Sequence, residues 1–127
     1  MKVDDGIGTT PSTITKFYTN SHFLSPTPSP SNQSIRLLSR TTGPDRIVDE
    51  LLLTFTHDRA IPWLLPNLPP TGKDVKVALV LVASFTAGKV ARVHAYWDQA
   101  SVLVQVGVLS RDGLPVVGAE GVDMVVS

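Results

Sequence analysis

The sequence predicts an α+β domain built on antiparallel strands. Three observations predict it. A helix-start signal, Thr10-Pro11, comes first in the chain. The apolar segments after residue 34 carry the β-branched content and alternation of strands. The Thr-Ala-Gly-Lys turn at 86–89 joins two of them as a hairpin. A helix followed by hairpin-linked strands is not the alternation that a doubly wound sheet requires.

Composition bounds the function. The 127 residues suit one domain, 1–127, with a single core. Lys+Arg and Asp+Glu number 11 each, so no basic face is implied and nucleic acid is not an expected partner. Hydrophobic residues make up 43% and charged residues 17%, which is globular and leans toward a hidden pocket or a subunit interface. Cysteine is absent, which excludes disulfides, thiolate metal sites and a cysteine nucleophile. The start, MKVDDGIGTT, has no apolar core of the secretory kind, and the apolar run 77–83 is too short to cross a membrane. A soluble cytoplasmic protein is expected.

Residues 1–9 read as a loose tail. Ile14, Phe17 and Tyr18 share one face at helical spacing, which places a helix at about 11–23. Residues 25–34, SPTPSPSNQS, hold three Pro and four Ser and read as a linker. A first strand follows at 34–43, ended by Gly43. The segment 45–57 has helical spacing at Ile47, Leu51 and Leu52, but LLLTFTH has strand composition, and a strand is expected. Four prolines in 60–73 exclude regular structure there. That loop nevertheless carries Trp63, Leu64, Leu65 and Leu68, which must be buried over a core or a pocket mouth. Residues 75–85 form a strand apolar on both faces at its centre, and 90–97 the returning strand. Residues 110–127 read as a C-terminal extension.

Side chains alternate across a strand, so Arg92, His94, Tyr96 and Asp98 share one face of the last strand, and Val93, Ala95 and Trp97 the other. Two readings stay open. The polar set faces water, or it lines a pocket under a curved sheet. His, Tyr and Asp together are suited to proton transfer, and apolar walls raise a carboxyl pKa toward the useful range. Asp98 also has a structural role available: Asp is a good N-cap and Gly107 a good C′ residue for a short helix between them.

Other features carry less. His22 falls at an expected helix end and has no assigned role. Three His without acidic residues at ligand spacing do not make a zinc site. Asp49 and Glu50 are adjacent on a strand and so are not a paired-carboxylate site. PTGK lacks the glycine run of a phosphate loop, and Ser101 lacks the context of a hydrolase nucleophile.

Four motifs occur in one order: FTHDR (55–59), PPTGK (69–73), F-x-x-GKV (85–90) and YWDQASVLVQVG (96–107). Over residues 35–109 the chain resembles the SnoaL-like branch of the nuclear-transport-factor-2-like superfamily, its fungal-type members in particular. The resemblance implies a cone-shaped, cystatin-like α+β barrel, in which a curved antiparallel sheet wraps a helix around an apolar cavity. It implies acid/base chemistry without a cofactor or metal on a small hydrophobic molecule: isomerisation, polyketide cyclisation, or opening of a lactone or epoxide. The alternative is a non-catalytic ligand-binding or dimerisation module of the same fold, and a homodimer is expected in either case. Asp98 matches the family's acid/base position, with His94 and His57 as assisting groups. Tyr96, Trp63, Arg59 and Trp97 are the expected substrate-binding residues. Two departures stand out: a single helix precedes the sheet where such proteins have two or three, and THDRAIPW replaces smaller residues at the entrance.

Overall fold

The computed structural model of the chain describes residues 30–126. The expected tail at 1–9, the helix at 11–23 with His22, and the first part of the Pro/Ser linker lie outside the described residues. The elements are β1 (Ser31–Thr42), β2 (Arg46–Thr56), β3 (Asp74–Thr86), β4 (Lys89–Tyr96), α1 (Gln99–Gln105) and α2 (Ala119–Val126). The strands form one antiparallel sheet in the order β1-β2-β3-β4. This is the expected α+β class.

Two boundaries differ from the sequence reading, and the strand expected at 45–57 is found. β1 begins at Ser31, so residues 31–34 belong to the strand and not to the linker. Polar pairing extends it: the Ser31 N–H and hydroxyl donate to the Asp58 carboxylate, and Asn32 Nδ2 donates to Thr56 Oγ1. Segment 46–56 is strand throughout, its helical spacing overridden by ladders to both neighbours. The extension after residue 110 contains α2, a helix that two glycines hide in the sequence. Glu120 accepts from the Gly118 N–H at its start, and Ser101 Oγ donates to the Gly118 carbonyl at 2.7 Å. These contacts and packing on β3 hold a helix that propensity alone does not.

The β2 and β3 alternation sorts residues cleanly onto two faces. Ile47, Asp49, Leu51, Leu53 and Phe55 are buried, as are Val75, Val77, Leu79, Leu81 and Ala83. Leu51 stands opposite Leu79 across the ladder. Each such leucine contributes about 1.5–3 kcal/mol on leaving water. The loop after β2 covers this face. Ile61, Leu64 and Leu65 are buried in the same cluster, and Trp63 and Leu68 pack against it. The prolines keep that loop irregular while its apolar side chains fill the core.

The other face is half-buried and carries Val48, Leu52, Ala78, Val80 and Val82. Bulges interrupt the ladders. Leu37 pairs with Leu51 but Ser39 pairs with Glu50, so Leu38 is an extra residue that the bulge turns onto this face. Ala91 is extra in β4, and a further shift lies between Ser31 and Ser34, where Asn32 has φ 58°. Each bulge bends its strand and tightens the local twist. The β3–β4 hairpin turns through Ala87 and Gly88, both at positive φ.

Two polar clasps complete the frame. Asp49, fully buried among apolar neighbours, accepts two hydrogen bonds from its cross-strand partner Arg40, at 2.8 and 2.9 Å. The second clasp compensates for a short strand. β4 pairs with β3 only from Val80 onward, which leaves the Lys76 backbone without a strand neighbour on that side. The Gln105 side chain takes the place of the strand: Lys76 N–H donates to Oε1 and Nε2 donates to the Lys76 carbonyl, both at 2.8 Å.

Removing one member of a buried ion pair leaves the other charge uncompensated. Asp49→Ala is expected to destabilise the chain by about 3–5 kcal/mol. The double change Arg40→Met, Asp49→Leu is expected to recover most of that loss. Urea unfolding of the two variants checks both expectations.

Candidate functional site

β4 ends at Tyr96, Trp97 turns inward, and Asp98 starts α1. The carboxylate of Asp98 caps that helix: Oδ1 accepts from the Ser101 N–H at 3.1 Å, with Asp98 at an extended φ/ψ. Gly107 follows the helix at φ 85°, the left-handed conformation expected of a C′ residue. Beside this step a groove of about 430 Å³ opens on the half-buried face of the sheet. Leu38, Ala78, Val80 and Val125 form its apolar walls, and Glu50, Tyr96, Trp97 and Asp98 supply its polar and aromatic groups. A smaller recess of about 200 Å³ adjoins it, sharing Ala78, Asp98 and Val125 and extending toward Ser101 and Val122. Asp98 therefore borders both spaces.

A third space, of about 490 Å³, lies at the far end of the sheet around Asn32, Asp74, Lys76 and Gln105. Its polar groups are committed to one another. Asn32 donates to Thr56, Thr56 donates to Asp74, Lys76 pairs with Asp123, and Gln105 clasps the Lys76 backbone. The groove at Asp98 is the better candidate because the capping bond uses only one of that carboxylate's oxygens.

The structure divides the expected site residues. Asp98, Tyr96 and Trp97 line the groove. His94 shares the parity of Tyr96 and is exposed like it, but stands opposite Val82 and does not line the groove. His57 is fully buried elsewhere. It continues the buried set of β2 and closes the proline-rich loop: its N–H donates to the Lys73 carbonyl at 2.8 Å, and its carbonyl accepts from Gly72 N–H at 2.8 Å. Thr71 meets its ring, with the hydroxyl 3.0 Å and the backbone N–H 3.3 Å from Nδ1. A backbone donor on Nδ1 assigns the ring hydrogen to Nε2, which is buried with no hydrogen-bond partner among the described residues. The structure thus does not bring either histidine to Asp98. Arg59 is exposed on the loop and does not line the groove. Trp63 acts through Trp97: the rings meet edge to face, centroids 5.6 Å apart. Trp97 Nε1 donates to Gln99, whose amide donates to the Leu64 carbonyl, so the groove wall is tied to the loop.

Glu50, Leu38 and Val125 were not expected in the site. The strand parity that separates Glu50 from Asp49 also places it on the face of Tyr96, a signal available in the sequence. Leu38 depends on a bulge and Val125 on a helix that the sequence does not announce. Among the described residues no cluster of three or more His, Asp or Glu is arranged to hold a metal ion. No helix among them is long and apolar enough to cross a membrane.

No family model matches the sequence, and no curated protein does. Solved structures do. TsrD from Streptomyces laurentii superposes with a TM-score of 0.56 at 20% identity, over 62% of this chain and 56% of its own. A candidate SnoaL-like polyketide cyclase from Jannaschia sp. CCS1 gives 0.53 at 20% identity, over 61% and 51%. The fold is SnoaL-like. AclR, a candidate hydroxylase from Streptomyces galilaeus, gives 0.52 at 25% identity, over 62% and 50%. The SnoaL-like match thus spans about half the length of these structures, and a shared fold does not carry a reaction with it.

Burial lowers the His57 pKa below its ordinary 6.5, and the charge of Asp58 only partly opposes this. The unfolded chain therefore takes up a proton at higher pH than the native one does. Stability from this group is complete above 6.5 and is lost as pH falls below it. Asp58, held low chiefly by the Ser31 hydroxyl, adds a separate loss in the carboxylate range. Urea midpoints measured between about pH 5 and 8 are expected to fall on acidification, and His57→Gln is expected to flatten the profile. An unchanged slope in that variant contradicts the assignment.

Proposed function

We propose that this chain is a cofactor-independent acid/base catalyst acting on a small apolar molecule held in the groove. The reaction class is isomerisation, cyclisation, or opening of a lactone or epoxide. The observation that carries the proposal is the position of Asp98. One oxygen is fixed by the Ser101 N–H, at the border of two apolar-walled spaces, and the other has no hydrogen-bond partner among the described residues. A carboxylate fixed in this way takes a proton from a bound carbon acid and returns it at another position. The Tyr96 hydroxyl, on the same lining, donates to the oxygen on which charge develops. Trp97, braced by Trp63, shapes the wall. The cyclase name of the Jannaschia neighbour is in keeping with this chemistry. The three bulges supply local bends of the kind a cone-shaped, cystatin-like barrel needs, and that closure is part of the proposal.

Asn retains an oxygen that caps a helix but cannot act as the base. Asp98→Asn is therefore expected to keep the unfolding midpoint and to lower turnover by about 10²–10⁴. The assay is a panel of lactones, polyketides and steroids. Undiminished turnover removes Asp98 from the mechanism and leaves the groove as a binding site only.

A homodimer is proposed as well. Tyr96, Met124 and Val125 are 59%, 76% and 55% exposed beside the groove, an apolar set that a second copy would cover along with the groove mouth. Sedimentation equilibrium is expected to show a dimer that Met124→Glu shifts to monomer. A wild-type monomer at all concentrations contradicts it.

A further inference from the structure

The groove has a charge pattern that its apolar walls conceal. Glu50 lies mid-strand in β2, facing Ser39 on one side and Val80 on the other, and Val80 in turn faces Tyr96. Glu50, Val80 and Tyr96 thus form one row across the sheet, and Asp98 follows Tyr96 by two residues. Among the described residues the groove lining therefore carries two carboxylates and two aromatic rings, Tyr96 and Trp97, and no Lys or Arg. Arg36, on the same face one row away, pairs across from Leu52 and does not line the groove.

From this we infer that Glu50 is a specificity-determining residue and that the groove selects an apolar molecule bearing a protonated amine. The inference rests on the reading of the groove as the binding site and names its substrate class. Two carboxylates attract an ammonium group, and the faces of aromatic rings do the same through their negative quadrupole. A carboxylate ligand meets two like charges with no cation in the described lining to offset them, which is how a site rejects the wrong class. The Ser39 hydroxyl donates to Oε1 of Glu50 and orients that carboxylate. Asp98 is left to move the proton while Glu50 anchors the amine.

Three probes of one shape isolate the charge: 1-naphthylmethylammonium, 1-naphthylmethanol and 1-naphthoate. Binding is read from amide shifts of Glu50, Ala78, Tyr96 and Asp98 in ¹H–¹⁵N NMR titrations. The ammonium is expected to bind about tenfold or more tighter than the alcohol, the naphthoate weakest, and added salt narrows the gap. Glu50→Gln keeps an acceptor for Ser39 and is expected to bring the ammonium to the level of the alcohol, with the alcohol unchanged. Equal binding of ammonium and alcohol overturns the inference and leaves the groove reading standing. So does a gap that survives Glu50→Gln. If no probe shifts these amides, the inference and the groove reading fall together.

Discussion

The structure depends on a mismatch in strand length. β3 has 13 residues and β4 has 8, so the first part of β3 lacks a strand on its outer side. An open ladder there exposes backbone groups that water or another chain can take up. Gln105 closes it with two hydrogen bonds to Lys76, and in doing so fixes α1 against the sheet. Its amide also donates to Ser101 Oγ, which donates to the Gly118 carbonyl ahead of α2. One side chain thus positions both helices. The step from strand to helix at Asp98, and the groove beside it, follow from where β4 stops.

The buried face has a different logic. Its leucines and valines give most of the cohesion, while the Arg40–Asp49 pair adds definition more than strength. Replacing a buried ion pair by apolar residues is often neutral, whereas breaking it is costly. The pair links β1 to β2 beyond the Leu38 bulge, where a slip of one residue would exchange the faces of β1. A charge that is satisfied in only one register specifies that register. This is a reason for Asp49 to interrupt an otherwise apolar series.

Much of the sheet was legible because alternation is a local signal. Strands at 45–57 and 75–85 were expected, but the second reads as apolar on both faces at its centre, and packing alone singles out the buried set from Val75 to Phe85. The hairpin at 86–89 and the cap at Asp98 were legible for the same reason, since each needs only a few neighbouring residues. What stayed hidden depends on distant partners. Ser31 to Ser34 became strand through Asp58 and Thr56. Leu38 changed face through a bulge that no single residue type marks. α2 exists because β3 and Ser101 hold a glycine-containing segment that would not be helical alone. The pairing of His57 with Thr71 closes a loop of proline-rich sequence, and the spacing of the motifs gave no indication that it turns the imidazole away from Asp98.

The two readings of the last strand prove to apply to different parts of it. Arg92, His94, Tyr96 and Asp98 do share one face, yet that face is not uniform. Val125 of α2 lines the groove together with Tyr96 and Asp98. Tyr96 and Asp98 therefore border a partly covered space with apolar walls. His94 lies one row further along, opposite Val82, and Arg92 one row beyond that, opposite Ser84, and neither lines the groove. Strand parity assigns a residue to a face, but what packs beside that face decides which of its residues line the groove. Among the described residues the lining includes Tyr96 and not His94. The chemistry proposed for the groove accordingly rests on carboxylates and a phenol, with no imidazole.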